Sequence, residues 1–596
     1  MSATRIVNDF SIRVATANGT GSQSSNSLLF KSLFRMGIGV CAKNMFPSNI
    51  QGLPTWFQIR VSTKGYQDLR ENDDIAVLIN PETAKEDIAS MRPGTTIFYN
   101  SSVIKVEDSQ KKPGQVYYPI PVEELAKKLT DAKLRHLLKN LFYVGVLSNL
   151  YGIEEDVMKS VIKDTFRDKQ SAIDANVGAL QIGIDYAKAN LKKEDNYAFE
   201  RSNVNDGKII MEGNAAAGLG AVYAGCTVLA WYPITPSSSL AESAEAYMKK
   251  YRVDKDGKNK YAVVQCEDEL ASIGMVLGAG WAGARAMTST AGPGISLMSE
   301  FIGLSYYAEV PAVIANVQRV GPSTGLPTRT QQCDVQMCAI ASHGDTKHIM
   351  LFPSTPKECF EQIQTSFDLA DRFQTTVFFM IDLDLGMNSW VTDELIYTKP
   401  KYDRGKVLNA EQLNEMKDWG RYLDIDGDGI PYRTLPGTNH MKGAFFTRGS
   451  GHDEYARYTE KPDAYIRNMD RLLKKWETAK TVVPKPVITG DKAAKTGIIA
   501  YGTTDHAVRE CLDRMPKAPI KYLRLTAYPF TPEVEDFIKS CDTVYVIEQN
   551  RDAQMKQLID ADLPGYQNKL KSIRYYGGYP ISADLVEREL SQKMGR

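Results

Sequence analysis

Four short segments carry side chains that could do chemistry, and each closes a run that reads as a strand. In the first, Tyr232-Pro233-Ile234-Thr235-Pro236 follows the apolar run 228–230, and the two prolines stop the chain from continuing as helix. The Thr235 hydroxyl is then held at the carboxyl end of a buried strand, where open α/β sheets receive ligands. An ordinary strand-exit turn reads equally well from these residues. The second segment, Val263-Val264-Gln265-Cys266-Glu267-Asp268-Glu269, runs from a buried strand into a helix over 270–284 made almost wholly of small or apolar residues. Three acids at a helix start gain from the macrodipole. A helix with so little polar surface is also predicted to be buried, and a carboxyl group at its start then meets desolvation that favours the neutral form, as acid–base chemistry requires.

In the third segment, Thr288-Ser289-Thr290-Ala291-Gly292-Pro293-Gly294 sets hydroxyls and glycines just before another helix, where backbone N–H groups can approach a ligand. In the fourth, Arg319 ends a strand and meets a loop rich in Gly, Pro and hydroxyls that reaches Thr328. A guanidinium grips a carboxylate bidentately, and threonine hydroxyls can complete such a site. A surface ion pair is the alternative for any single arginine. Consecutive strand ends of this kind converge on one pocket.

The elements that must position these residues follow from periodicity. Runs at 262–265, 286–289, 313–317 and 377–381 alternate with small-residue helices, which predicts a parallel sheet between about 205 and 385. Before it, 10–15 alternates like a strand and 28–36 like a helix, with Asn18-Gly19-Thr20-Gly21 as the turn between them. That turn lacks the third glycine and the acid of a dinucleotide fingerprint. Several helices over 134–193 end in a polar boundary, and 386–485 is polar, aromatic and weakly periodic, as an insertion packed on its neighbours would be. A last α/β unit begins near 496 and has a strand at 543–548.

At 596 residues the chain is too long for one core. Acids and bases balance at 72 each, so no global field favours nucleic acid or a membrane surface. With no signal segment and no apolar run of about 20 residues, a soluble cytoplasmic protein is expected. The eight cysteines form no Cys-x-x-Cys pair, which argues against a cluster or zinc site in this chain. Asp424-Ile425-Asp426-Gly427-Asp428-Gly429 opens like a calcium loop, but Leu435 stands where a bidentate glutamate belongs. Gly427-Asp428-Gly429 also starts like the magnesium–diphosphate motif of thiamine enzymes, without the paired asparagines that should follow; a bound divalent ion stays open there.

Together, the segments at 232–238, 267–269, 290–294 and 319–328 resemble the 2-oxoacid:ferredoxin oxidoreductases, specifically an α subunit with the γ domain fused in front. The γ-like part is similar through Phe46-Pro47-Ser48-Asn49-Ile50-Gln51-Gly52-Leu53-Pro54-Thr55-Trp56. The C-terminal part is similar through Tyr528-Pro529-Phe530 and Val546-Ile547-Glu548-Gln549-Asn550. The resemblance implies a multidomain α/β chain: a γ-type α/β domain over 1–200, a doubly wound pyrimidine-type thiamine-binding domain over 201–385, a connecting segment over 386–485 and a smaller C-terminal α/β domain over 486–596.

The resemblance also implies a reaction, in which a 2-oxo acid and coenzyme A give acyl-CoA, carbon dioxide and reduced ferredoxin, reversibly in members that fix carbon. Thiamine diphosphate carries that chemistry. Glu269 would bond the aminopyrimidine N1′, with Ile234 and Thr290 at the cofactor. Arg319, Thr235 and Thr328 would hold the substrate. The Mg²⁺–diphosphate and at least one [4Fe–4S] cluster would come from a β subunit in an α2β2 assembly, leaving no metal in this chain. The Phe46-Pro47-Ser48-Asn49 stretch looks most like members using 2-oxoglutarate. The alternatives are a thiamine-dependent decarboxylase or synthase that does not use ferredoxin, and a scaffold that has lost its site.

Overall fold

The computed structural model describes residues 4–47, 52–129, 131, 133–398 and 401–595. Ser48, Asn49, Ile50 and Gln51, the centre of the stretch that suggested 2-oxoglutarate, lie outside the described residues. Contacts divide the chain into two compact units, Met1–Ile210 with Asn388–Glu394 and Ile581–Arg588, and the remainder. Two short segments from late in the sequence therefore belong with the first unit.

The first unit holds a six-stranded sheet in the order Val40–Met45, Pro54–Val61, Phe10–Ala17, Ile75–Leu78, Thr96–Asn100, Val116–Ile120. The Pro54–Val61 strand runs antiparallel to both of its neighbours, and the other pairings are parallel. The glycine loop after Phe10–Ala17 is a packed turn. Gly21 has φ 77°, a side chain there would collide with the Leu137 carbonyl, and Asn140 donates to the Thr20 carbonyl. Helix Ser22–Arg35 leaves this turn with Leu28, Leu29 and Leu33 buried in the core.

The second unit holds a seven-stranded sheet in the order Ala262–Gln265, Val228–Trp231, Ala286–Thr290, Ala312–Gln318, Thr376–Asp382, Ile349–Leu351, Ala527–Tyr528. Six strands are parallel, as the alternating pattern predicts, and the seventh comes from the C-terminal region and runs antiparallel. A five-stranded sheet, built from Val487–Gly490, Ile520–Leu525, Thr496–Tyr501, Thr543–Glu548 and Leu570–Arg574, completes it. No helix among the described residues is long and apolar enough to cross a membrane.

Two burial expectations fail here. Ala262–Gln265 is the edge strand, with both of its ends exposed, so its apolar centre is only half-buried. Helix Glu269–Trp281 buries one face and leaves Leu270, Met275 and Trp281 exposed. Composition states how much apolar surface an element carries, whereas the number of neighbours it meets decides how much is covered.

The polar region after residue 395 is fastened to the second unit by two buried charge clusters. The Asp371 carboxylate meets Arg285, Arg433 and Arg404 at 3.0, 2.8 and 3.2 Å. Glu309, fully buried, meets Arg471 and Lys475 at 2.6 Å each, both from helix Pro462–Ala479.

Candidate functional site

Each of the four segments leaves the carboxyl end of a parallel strand, so the sheet gathers them along one edge. Thr235 follows Val228–Trp231 in a turn whose Thr235–Pro236 bond is cis. Asn214, buried in helix Gly213–Tyr223, pins that turn by donating to the Pro236 carbonyl at 2.9 Å and to Ser239 Oγ at 2.7 Å. Arg319, directly after Ala312–Gln318, donates from Nη1 to the Thr235 carbonyl at 2.7 Å. Two residues 84 positions apart are thus in direct contact. Burial works against the Arg319 charge and lowers its pKa, while nearby Asp334 favours the charged form. Its Nε has no hydrogen-bond partner among the described residues.

Glu269 opens its helix, which Asp268 caps by accepting from the Ala271 N–H at 2.7 Å. The Glu269 side chain is 5% exposed, yet its carboxylate makes no hydrogen bond with the described residues. An ordinary buried acid has partners, so this one keeps its acceptor capacity unused among the described residues. Gly294 creates the room. A Cβ there would sit 2.8 Å from Glu269 Cγ and 3.1 Å from Oε1, and would collide with Thr290 Oγ1. Glu269 and the fully buried Thr290 therefore meet over the first turn of helix Gly292–Ala308. Ile234 is half-buried beside Thr235.

Thr328 is buried, and its hydroxyl accepts from Arg329 Nη1 at 3.2 Å. No hydrogen bond links it to Arg319 or Glu269. The structure thus bonds Arg319 to Thr235, sets Glu269 and Thr290 both against Gly294, and leaves Thr328 at the end of the 320–329 loop. That loop returns through a Val320 N–H bond to the Arg329 carbonyl at 3.1 Å.

Gly292 and Arg319 line one cavity of about 900 Å³, together with Asp334, Asn550, Arg551 and Tyr576. A smaller cavity of about 320 Å³ beside Tyr306 and His343 touches none of the four segments. Asp334 is the functional candidate that sequence reasoning missed. Asn316 donates to its Oδ2 at 3.1 Å, and burial pushes its carboxyl up to about 6 against the pull of Asn316, Cys333 and Arg319. The polar run Thr330-Gln331-Gln332-Cys333-Asp334 was the available signal, since all but half-buried Cys333 are buried.

The acidic turn at 424–428 is occupied by the protein itself. Lys406 Nζ lies 2.6 Å from Asp426 and 2.8 Å from Asp428, and Lys474 lies 3.4 Å from Asp424, so an ammonium stands where a cation would. Among the described residues no group of three or more His, Cys, Asp or Glu could hold a metal ion. None of the eight cysteines forms a disulfide, and seven of the eight are buried.

Two family descriptions match this chain. Residues 11–186 match pyruvate ferredoxin/flavodoxin oxidoreductase, and residues 219–406 match the thiamine diphosphate-binding part of pyruvate flavodoxin/ferredoxin oxidoreductase. The α subunit of 2-oxoacid:ferredoxin oxidoreductase 2 from Aeropyrum pernix is 30% identical over 93% of each chain. The 2-oxoglutarate oxidoreductase subunit KorA of Mycobacterium tuberculosis is 29% identical over 97% of this chain and 90% of its own. Among solved structures, a 2-oxoglutarate:ferredoxin oxidoreductase from Magnetococcus marinus with 2-oxoglutarate, coenzyme A and succinyl-CoA bound superposes with a TM-score of 0.88. It is 28% identical and covers 98% of this chain and 100% of that one.

Proposed function

The chain belongs to the 2-oxoacid:ferredoxin oxidoreductases, and we propose that it is the γ-fused α subunit of a thiamine diphosphate-dependent enzyme that oxidatively decarboxylates 2-oxoglutarate. The observation that carries this reading is Glu269: a buried carboxylate without a donor among the described residues, given its clearance by Gly294 and set along one sheet edge with the Arg319 cavity. A carboxylate so placed fits the N1′ side of an aminopyrimidine, where one proton would be shared between the carboxylate and that ring nitrogen. Thiamine diphosphate, when bound, supplies the nucleophilic carbon and the electron sink for decarboxylation.

The chain's own residues bind, orient and exclude water. Arg319, anchored on the Thr235 carbonyl, keeps its remaining N–H groups for the substrate carboxylate, and the Thr235 hydroxyl faces the oxo group. Thr328 closes the loop over them, while Ile234 and Thr290 wall the cofactor. Holding the reacting groups in a dry, preorganised site is the protein's contribution to rate. The naming of the Aeropyrum pernix relative as an α subunit, and of the Mycobacterium tuberculosis relative as a subunit, supports a β partner, which would carry the Mg²⁺–diphosphate half-site and a [4Fe–4S] cluster in an α2β2 enzyme that reduces ferredoxin. The ligands of the solved neighbour support coenzyme A as acyl acceptor. Run in reverse, the same steps would fix carbon dioxide.

The test is a panel of 2-oxo acids with the reconstituted complex and a ferredoxin acceptor. 2-Oxoglutarate is expected to give the highest kcat/KM, and Glu269→Ala to remove turnover while the complex still assembles. Unchanged turnover in that variant would refute the role of Glu269.

A further inference from the structure

The wall facing Arg319 is built as firmly as Arg319 itself. The loop carrying Asp334 is stapled to the C-terminal part of the unit by a run of buried hydrogen bonds. Gln332 N–H donates to the Gln549 carbonyl at 2.9 Å, and its Nε2 donates to the Tyr501 carbonyl at 3.2 Å. Its Oε1 accepts from Thr504 at 3.1 Å, and its carbonyl accepts from Asn550 Nδ2 at 3.0 Å. Gln554 Nε2 holds the Cys333 carbonyl at 2.7 Å, and the Asp334 N–H donates to Gln318 Oε1 at 3.0 Å. Asp334 cannot turn away, because its backbone is held from both ends.

The carboxylate so presented is poorly satisfied. Asn316 supplies one firm bond, and Cys333 Sγ stands at 3.6 Å, a weak thiol contact. Gly292 lies against it without a side chain, since a Cβ there would be 2.6 Å from Oδ1. The charged and titratable groups around it are few. Arg319 comes from the strand end, Cys333 from its own loop and Cys338 from the following helix. Arg551, on the C-terminal wall, is already paired with Asp552 at 2.7 and 3.0 Å. Glu269 lies behind Gly294. Arg319 is thus the cation that Asp334 answers to.

We propose that Asp334 sets the affinity of the pocket for 2-oxo acids, its carboxylate competing with the substrate's for the field of Arg319, so that substrate binding is coupled to uptake of a proton by Asp334. The inference rests on the proposed function for the identity of the ligand. In the free enzyme near neutral pH, Asp334 is ionised and balances Arg319. A docking carboxylate puts two anions on one guanidinium, and the like charge raises the Asp334 pKa. One proton moves from solvent to the Asp334 carboxyl as the anion binds, and no other bond changes. Cys333, whose thiol burial pushes up to about 12, stays protonated throughout and cannot supply the effect. Affinity should then weaken up to about tenfold per pH unit above the point where the free carboxyl ionises, because one proton is linked to binding.

The experiment uses the reconstituted complex and N-oxalylglycine, a 2-oxoglutarate mimic that is not decarboxylated. Titration calorimetry at pH 7 in buffers of different ionisation enthalpy should report uptake of about half to one proton, and Kd should rise between pH 6.5 and 7.5. In Asp334→Asn, whose amide oxygen can still accept from Asn316, binding should be at least as tight at pH 7.5, independent of pH and without proton uptake. A purely structural role for Asp334 would weaken binding at every pH and leave the slope in place. Wild-type binding without proton uptake overturns the inference, even if the variant does not fold, and so does a variant that keeps the wild-type slope. Failure of N-oxalylglycine to bind at any pH would overturn the proposed function as well.

Discussion

Gly294→Ala tests the placement of Glu269 without touching its chemistry. The added Cβ would lie 2.8 Å from Glu269 Cγ and 3.1 Å from its Oε1, and it would collide with Thr290 Oγ1. Thr290 is fully buried at the end of a central strand and has nowhere to retreat. The strain therefore falls on Glu269 and the helix start. Restoring ordinary carbon–carbon contact of about 3.6 Å to Glu269 requires a displacement of roughly 0.8 Å. Clearing the closer approach to Thr290 Oγ1 requires the helix start to move by more than about 1 Å. A shift of that size in a positioning group costs about a hundredfold in rate, or about 3 kcal/mol of barrier. Overpacking should also lower stability by about 1–3 kcal/mol. Arg319 hangs from another strand, so its grip on the substrate should persist. The assay is 2-oxo acid-dependent reduction of a dye or ferredoxin by the reconstituted complex, with thermal unfolding alongside. A folded variant with a rate within about threefold of wild type would refute the reasoning. So would a loss that lies entirely in KM.

Arg319→Ala should raise KM for the 2-oxo acid by roughly ten- to a hundredfold, the worth of a charge-assisted bond, with a smaller change in kcat; an unaltered KM counts against its role. Glu309 is a stability switch. Burial alone would raise its pKa, but Arg471 and Lys475 outweigh burial and hold it at about 2, below the unfolded 4.5. A folded pKa below the unfolded one stabilises above pH 4.5, and the contribution is lost as pH falls from 4.5 toward 2, a loss of about 3 kcal/mol. Lys475 shifts in the opposing sense, down to about 8, because burial disfavours its charge and outweighs the support of Glu309, with Arg471 and Arg421 adding repulsion. The direction for Glu309 rests on its three charge-assisted bonds at 2.6 to 3.1 Å. Thermal midpoints measured from pH 6 to 3 should fall steeply for wild type and less so for Glu309→Gln; parallel profiles would contradict this. Lys406→Ala should destabilise by about 1 kcal/mol, the scale of a partly exposed ion pair. Calcium should leave the wild-type midpoint unchanged, and a calcium-induced rise in the wild type would show that the ammonium is displaceable.

Five of the seven strands of the second unit's larger sheet, and the places where Thr235, Thr290 and Arg319 leave them, were legible in the sequence; the order of the strands and the strands Ile349–Leu351 and Ala527–Tyr528 were not. Prolines 233 and 236, glycines 292 and 294 and the apolar runs between them act on backbone within a few residues. Such local preferences survive whatever the rest of the chain does. Glu269 could be singled out as an acid at a helix start, but not as a carboxylate without a partner. That depends on Gly294, 25 positions later, admitting it beside Thr290. Only the tertiary structure set Asn316 against Asp334 or put Lys406 among the acids at 424–428. It also left Ala262–Gln265 on an open edge. Burial and charge pairing depend on which distant segments arrive, and no periodicity records that. The residue types fixed what chemistry was available; long-range packing decided which groups were paired, which were left wanting a partner, and which faced one another across the cavity.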